Sequence, residues 1–272
     1  MKEKNKGKFI KKIIHISIII ILIIFLVFIC RKTYENLLSK KNFENSIISF
    51  AEKNKETIFS INKIIFFSSC DSKNKTSSSS NFTIENLYAY TDIALFIDNN
   101  SEKDTTENTL KNVKISNIKF TKKPTVGKPN LYYKSVENFA KSEIDEKNII
   151  NEELKFEITS EDEADFNKPV LFNNCANPIT LSYINQNIKT DYTMTDTQNP
   201  ITYNGKLLER CGVLKQSIET TVSFDIEIEN NKNQKFKTTV YYDIPYENEG
   251  KSIYDGNLTV KKDTNFNFYR YE

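Results

Sequence analysis

The chain of 272 residues has no tryptophan, one histidine, two methionines, four cysteines, six glycines and six prolines. The histidine, His15, lies inside an apolar N-terminal run. The remaining sequence therefore cannot build a Ser-His-Asp triad, a Cys-His dyad or a histidine metal site, and sortase-like transpeptidation is excluded with them. The cysteines Cys30, Cys70, Cys175 and Cys211 show no CxxC spacing, which disfavours a redox motif or a zinc site. An oxidising compartment would permit one bridge among the last three. Cys175 with Cys211 is the preferred candidate disulfide, because both fall in the half with the clearer strand signals. Glycine and proline are too scarce for generic disorder. Without tryptophan, any aromatic platform for a sugar falls to the 14 tyrosines. Tyr88, Tyr90, Tyr132, Tyr133, Tyr241 and Tyr242 read first as strand residues.

What the sequence does have is a long apolar run, Ile13 to Cys30, in which only His15 and Ser17 are polar. At helical rise the run is about 27 Å long, close to the hydrocarbon thickness of a bilayer. It ends in Val27-Phe28-Ile29-Cys30-Arg31, with no small residue where signal cleavage or lipoprotein processing would need one. An uncleaved single-pass anchor follows. Lys2, Lys4, Lys6, Lys8, Lys11 and Lys12 precede the run against a single Glu3, and only Arg31 and Lys32 follow closely. The positive-inside rule places the N-terminus in the cytoplasm and the bulk of the chain beyond the cell membrane.

The formal net charge of +2 hides an asymmetry. Eight of the 38 basic residues lie within the first 32 positions, against one of the 36 acidic residues, so the rest of the chain is mildly acidic. Nucleic acid is not an expected partner.

The expected organisation is a basic tail over residues 1–12, a transmembrane helix over 13–30, a helical stalk over 31–56 and a β domain over 57–272. Strands are expected from Thr57 to Ser69, Leu87 to Ile97, Thr109 to Phe120 and Pro178 to Met194. In the third, apolar alternation slips phase, which predicts a bulge near Asn117. Leu154, Phe156 and Ile158 alternate with polar residues as in a half-buried strand, and Phe266 and Phe268 alternate in a last one. A short helix is expected within Val136 to Lys147. Asn204-Gly205 and Asp255-Gly256 have the composition of two-residue hairpin turns. Polar loops are expected at Ser72 to Asn81 and Asp98 to Asn108.

The strongest hairpin signal is Thr221 to Ile244. A turn centred on Lys232 sets Glu229 opposite Lys235 and Glu227 opposite Lys237 on the wet face. Val222, Phe224, Ile226 and Ile228 then meet Phe236, Val240, Tyr242 and Ile244 on the other face. Many strands without a recurring βαβ pattern predict a mainly β fold: an antiparallel sandwich, immunoglobulin-like or jelly-roll-like. One domain is favoured, with two halves meeting near residue 165 as the alternative.

Catalytic patterns are weak. S-x-x-K occurs at Ser60 to Lys63, Ser72 to Lys75 and Ser116 to Lys119, but the companion SDN and KTG motifs are absent. Glu161 to Asp165 lacks the spaced ligands and glycine of a calcium loop. No cofactor or metal is expected.

TDIALFIDN (Thr91 to Asn99), NCANPITLSYINQNIKTDYT (Asn174 to Thr193) and YNGKLLERC (Tyr203 to Cys211) resemble segments of uncharacterised, single-pass membrane-anchored β-rich proteins of clostridia-like Gram-positive bacteria. The likeness runs over most of residues 85–260. It implies a surface location and carries no known activity. The expectation is a non-catalytic binding or assembly module at the cell envelope, with the bilayer as one partner and an envelope protein or polysaccharide as the other. The alternatives are a pilin-like surface subunit, which lacks the usual glutamate early in its apolar segment, and an envelope-polymer hydrolase using paired carboxylates.

Overall fold

A computed structural model describes residues 23–42, 44, 58–72, 82–99, 109–194, 204–247, 252–255 and 257–272. The chain divides into two compact units, Met1–Lys55 and Glu56–Glu272. In the first, residues 23–42 form a helix, α1. Arg31 pairs with Glu35 one turn on at 2.9 Å, and its apolar side chains from Ile23 to Ile29 are all exposed. Among the described residues no helix is long and apolar enough to cross a membrane. The expected basic tail, residues 13–22 of the expected span, 43 and 45–56 of the expected stalk, and 73–81 and 100–108 of the expected loops lie outside the described residues; Ser72, Asp98 and Asn99, expected in those loops, are strand residues.

The second unit is mainly β. Its eleven described strands are β1 (Phe59–Ser72), β2 (Phe82–Asn99), β3 (Leu110–Lys122), β4 (Lys128–Tyr133), β5 (Glu153–Thr159), β6 (Val170–Phe172), β7 (Ile179–Met194), β8 (Thr220–Asn230), β9 (Lys235–Ile244), β10 (Asn257–Asn267) and β11 (Tyr269–Arg270). Sheet A has the order β10-β1-β2-β7-β4 and sheet B the order β11-β9-β8-β3-β5-β6. The pairings are antiparallel except β5 with β6, which is parallel. Residues of both sheets form one apolar cluster that includes Phe59, Ile93, Leu181, Val113, Phe224 and Phe268.

Period-2 alternation explains how the strands supply this core, and two bulges explain where the alternation breaks. In β1, Phe59 and Ile61 point inward, a register shift falls between Ile61 and Lys63, and Ile64 and Phe66 then resume the inward phase. In β3 the middle of three register shifts lies between Ser116 and Lys119, with Asn117 at φ 54° and its side-chain amide donating to Asp225 at 3.0 Å. That is the bulge the sequence predicts, and its left-handed residue is an asparagine, which tolerates that backbone better than most.

The β8–β9 hairpin has the expected register: Glu229 faces Lys235, Glu227 faces Lys237, and Ile228 faces Phe236. Asn230 closes its turn by accepting from the amides of Lys232 and Gln234 at 3.0 and 2.9 Å. Three expectations are corrected. Asn204-Gly205 starts a helix, not a hairpin: Lys206–Arg210 forms α2, followed by α3 (Lys215–Ile218). Leu207 and Leu208, adjacent on α2, are both fully buried. A Cβ on Gly205 would lie 1.6 Å from the Ile253 carbonyl oxygen, so this glycine serves close approach. Asp255 ends a 3-10 turn, Ile253–Asp255, and β10 pairs with β1, so no hairpin joins SIY to NLTV; Gly256 is outside the described residues. Val136 to Lys147 holds only 3-10 turns, at Val136–Asn138 and Glu146–Asn148, with no buried residue in either.

The small helices cap a second cluster. Leu207, Leu208, Val213, Ile218 and Ile253 pack with Cys70, Ile84 and Leu87 from the adjoining ends of β1 and β2.

Candidate functional site

A cleft of about 480 Å³ opens where β3 ends, β8 begins and β9 ends. Its walls are set by the hairpin register described above. Lys122 and Glu219 pair across it at 2.6 Å, and Lys215 of α3 pairs with Glu247. Glu247 also accepts from the Ile253 amide at 3.2 Å, which fixes it against the capping segment. Asp243 accepts from the Thr221 hydroxyl at 2.7 Å. Both lysines are thus matched by carboxylates, and the cleft presents no surplus cation.

Tyrosines line the cleft beside these charges. Tyr241, on the outward face of β9, is 65% exposed, and its ring meets Phe266 edge-on at 5.7 Å. Tyr246 stacks on Phe66 of sheet A at 4.1 Å, so the cleft wall is seated on the common core; the preceding Ile244-Pro245 bond is cis. Tyr242 faces inward at 4% exposed and packs on Phe66 and Phe266. Its hydroxyl is buried with no hydrogen-bond partner among the described residues, and burial pushes its pKa well above 10. Of the six tyrosines read as strand residues, all lie on strands, and only Tyr241 is exposed.

A second polar cluster lies on the outer face of sheet A, under the segment from residue 135 to 149. Asp92 of β2 is fully buried and meets the Lys134 ammonium at 2.7 Å. The carboxylate also accepts from Ser182 Oγ at 2.5 Å and from the Ala140 amide at 2.8 Å. Lys134 also donates to the Lys141 carbonyl and stands 5.1 Å from the Tyr90 ring centre. Burial pushes the Asp92 pKa up and the Lys134 pKa down, each opposed chiefly by the other's charge. Nearby, Gln186 donates to the Tyr132 hydroxyl at 2.6 Å and to Glu146 at 2.9 Å, while Tyr88 donates to the Ser142 carbonyl at 2.7 Å. These bonds run from the sheet to the segment that covers it. With Asp92 and Lys134 both buried and hydrogen-bonded, the cluster is a strut that holds the cover down. The sequence carried a signal for it: one carboxylate inside the apolar TDIALF stretch, and one ammonium directly after Leu131-Tyr132-Tyr133.

The two cysteines of the candidate disulfide lie in different places. Cys175 packs against the large inter-sheet cluster, and Cys211 against the capping cluster. All four cysteines are free thiols. Burial, with Asp98 adding, pushes the Cys175 pKa up to about 12. Burial also raises Cys211, against the opposing effects of Thr190 and Arg210. Among the described residues no group of three or more His, Cys, Asp or Glu side chains could hold a metal ion. Lys63, of the first S-x-x-K, lies 3.8 Å above the Phe96 ring.

Comparison with known proteins finds no matching family model, no matching curated protein and no matching solved structure.

Proposed function

We propose that the protein is a single-pass, membrane-anchored binding module, and that its β-sandwich head lies outside the membrane and takes a neutral saccharide of the cell envelope in the cleft. The anchor reading rests on the apolar run of residues 13–30 and its basic flank, and on the apolar side chains of α1 from Ile23 to Ile29, which are exposed among the described residues. The sandwich reading rests on two sheets that share one cluster. The resemblance to anchored surface proteins of Gram-positive bacteria agrees with both.

The ligand class follows from the cleft's chemistry. Two ammonium groups and three carboxylates offer hydrogen-bond donors and acceptors with a slight excess of negative charge, which suits a neutral polyol better than a polyanion. The exposed Tyr241 ring at the rim is the observation that carries the reading, since it offers an apolar face to a sugar ring and a hydroxyl at its edge. The carboxylates are each engaged by an ammonium or a hydroxyl. That arrangement favours holding a ligand over cleaving one.

The test is calorimetric titration of the full chain in detergent with neutral oligosaccharides released from the envelope. Tyr241→Ala should weaken binding about tenfold, equivalent to about 1.4 kcal/mol. Unchanged affinity in Tyr241→Ala, or no binding by the wild type, overturns the proposal.

A further inference from the structure

The capping cluster contains two cysteines from distant parts of the chain. Cys70 is fully buried near the end of β1, and Cys211 is the residue that caps the C-terminus of α2. Helix α2 packs directly on β1, and both thiols belong to the same cluster with Leu207, Leu208 and Val213. They are near enough for charge on Cys211 to raise the Cys70 pKa, alongside burial and Asp71. Cys175 is held in the other cluster, and Cys30 belongs to the other unit of the chain.

We infer that Cys70 and Cys211 are a reversible disulfide pair that fastens α2 and the capping segment onto β1. Cys211, only half-buried, is the thiol an external oxidant reaches first. Its thiolate attacks one sulfur of a low-molecular-weight disulfide, RSSR. The S–S bond of that oxidant breaks and one RSH departs. Cys70 then attacks Cys211 Sγ as a thiolate, displacing the second RSH. The protein loses two protons and two electrons, which leave in the two RSH molecules. High thiol pKa values keep the thiolate fraction small, so closure is slow at neutral pH and accelerates as pH rises.

Fastening these two positions would have a structural consequence. The link closes a long loop of chain and ties the segment that carries α3, and hence Lys215 of the cleft, to sheet A. The inference rests on the cluster alone and stands whether or not the cleft takes a saccharide.

The test treats the natively folded full chain with oxidised glutathione, blocks residual thiols with an alkylating reagent, and maps the digest by mass spectrometry without reduction. The expected result is one linked peptide pair joining Cys70 to Cys211, lighter by two hydrogens than the two free peptides. Cys175 should be recovered alkylated once the protein is unfolded. The thermal midpoint of the oxidised chain should lie above that of the reduced chain. Cys175→Ser should keep the link, and Cys211→Ser should lose it. Recovery of Cys70 as a free thiol after prolonged oxidation, or a link through Cys175, overturns the inference. Because the decisive readout is taken on the wild-type chain, a variant that fails to fold does not remove it.

Discussion

At the scale of single residues, the fold shows where polar groups are made safe and where they are not. Tyr242 places a hydroxyl in the core without a partner among the described residues, which costs about 1–3 kcal/mol relative to a satisfied or absent group. Tyr242→Phe is therefore expected to leave stability unchanged or raise it by up to about 1 kcal/mol, measured by urea denaturation. Asp92 and Lys134 are the opposite case. Lys134→Met strands a buried carboxylate and should cost about 3–5 kcal/mol, whereas adding Asp92→Asn should recover a substantial part of the loss. If the double variant is as unstable as the single, the pair is not the strut described here. Gly205→Ala should also destabilise, because its Cβ would collide with backbone, not with a side chain that can move aside.

At the scale of elements, the sequence was legible wherever pattern and charge said the same thing. The β8–β9 register could be read because apolar alternation and the Glu227/Lys237 and Glu229/Lys235 pairs demand one alignment. The Asn117 bulge was readable as a phase slip. Helix α2 was not, because Asn-Gly serves a hairpin turn and a helix start alike, and five residues are too few to show a helical period. Strand β6, three residues long, is too short to show a period, and its parallel pairing with β5 leaves no local mark. The cleft was invisible for a related reason: it joins residues from Lys122 to Glu247 through strand order that sequence does not contain. The β3–β8–β9 ladder also makes a pH prediction. Burial works against the Asp225 charge, but hydrogen bonds from Lys237, Thr239 and Asn117 outweigh it and hold the pKa below its usual 3.8. A depressed carboxylate contributes stability above its unfolded pKa and loses it as pH falls through the folded one. Wild-type stability should therefore decline below about pH 4, and Asp225→Asn should flatten that part of the profile.

For the whole molecule, the chain comprises a β unit built from two sheets and an N-terminal unit whose helix exposes its apolar side chains from Ile23 to Ile29 among the described residues. The large cluster runs from Phe59 to Phe268, so the head draws its core from both ends of its sequence. Truncation within β10 or β11 should therefore unfold the head as a whole, seen as loss of a single cooperative thermal transition. Sheet B ends at both edges in short strands, β6 and β11, which leave little exposed strand edge on that sheet. The central claim is that this head stands outside a membrane on a permanent anchor. The direct measurement adds a membrane-impermeant protease to intact cells and follows both ends of the chain. The account predicts that the head is cut free while an N-terminal fragment ending near residue 55 stays with the membrane, its mass including residues 13–30. A chain protected until the cells are lysed, or a mature N-terminus beginning after Cys30, would contradict it.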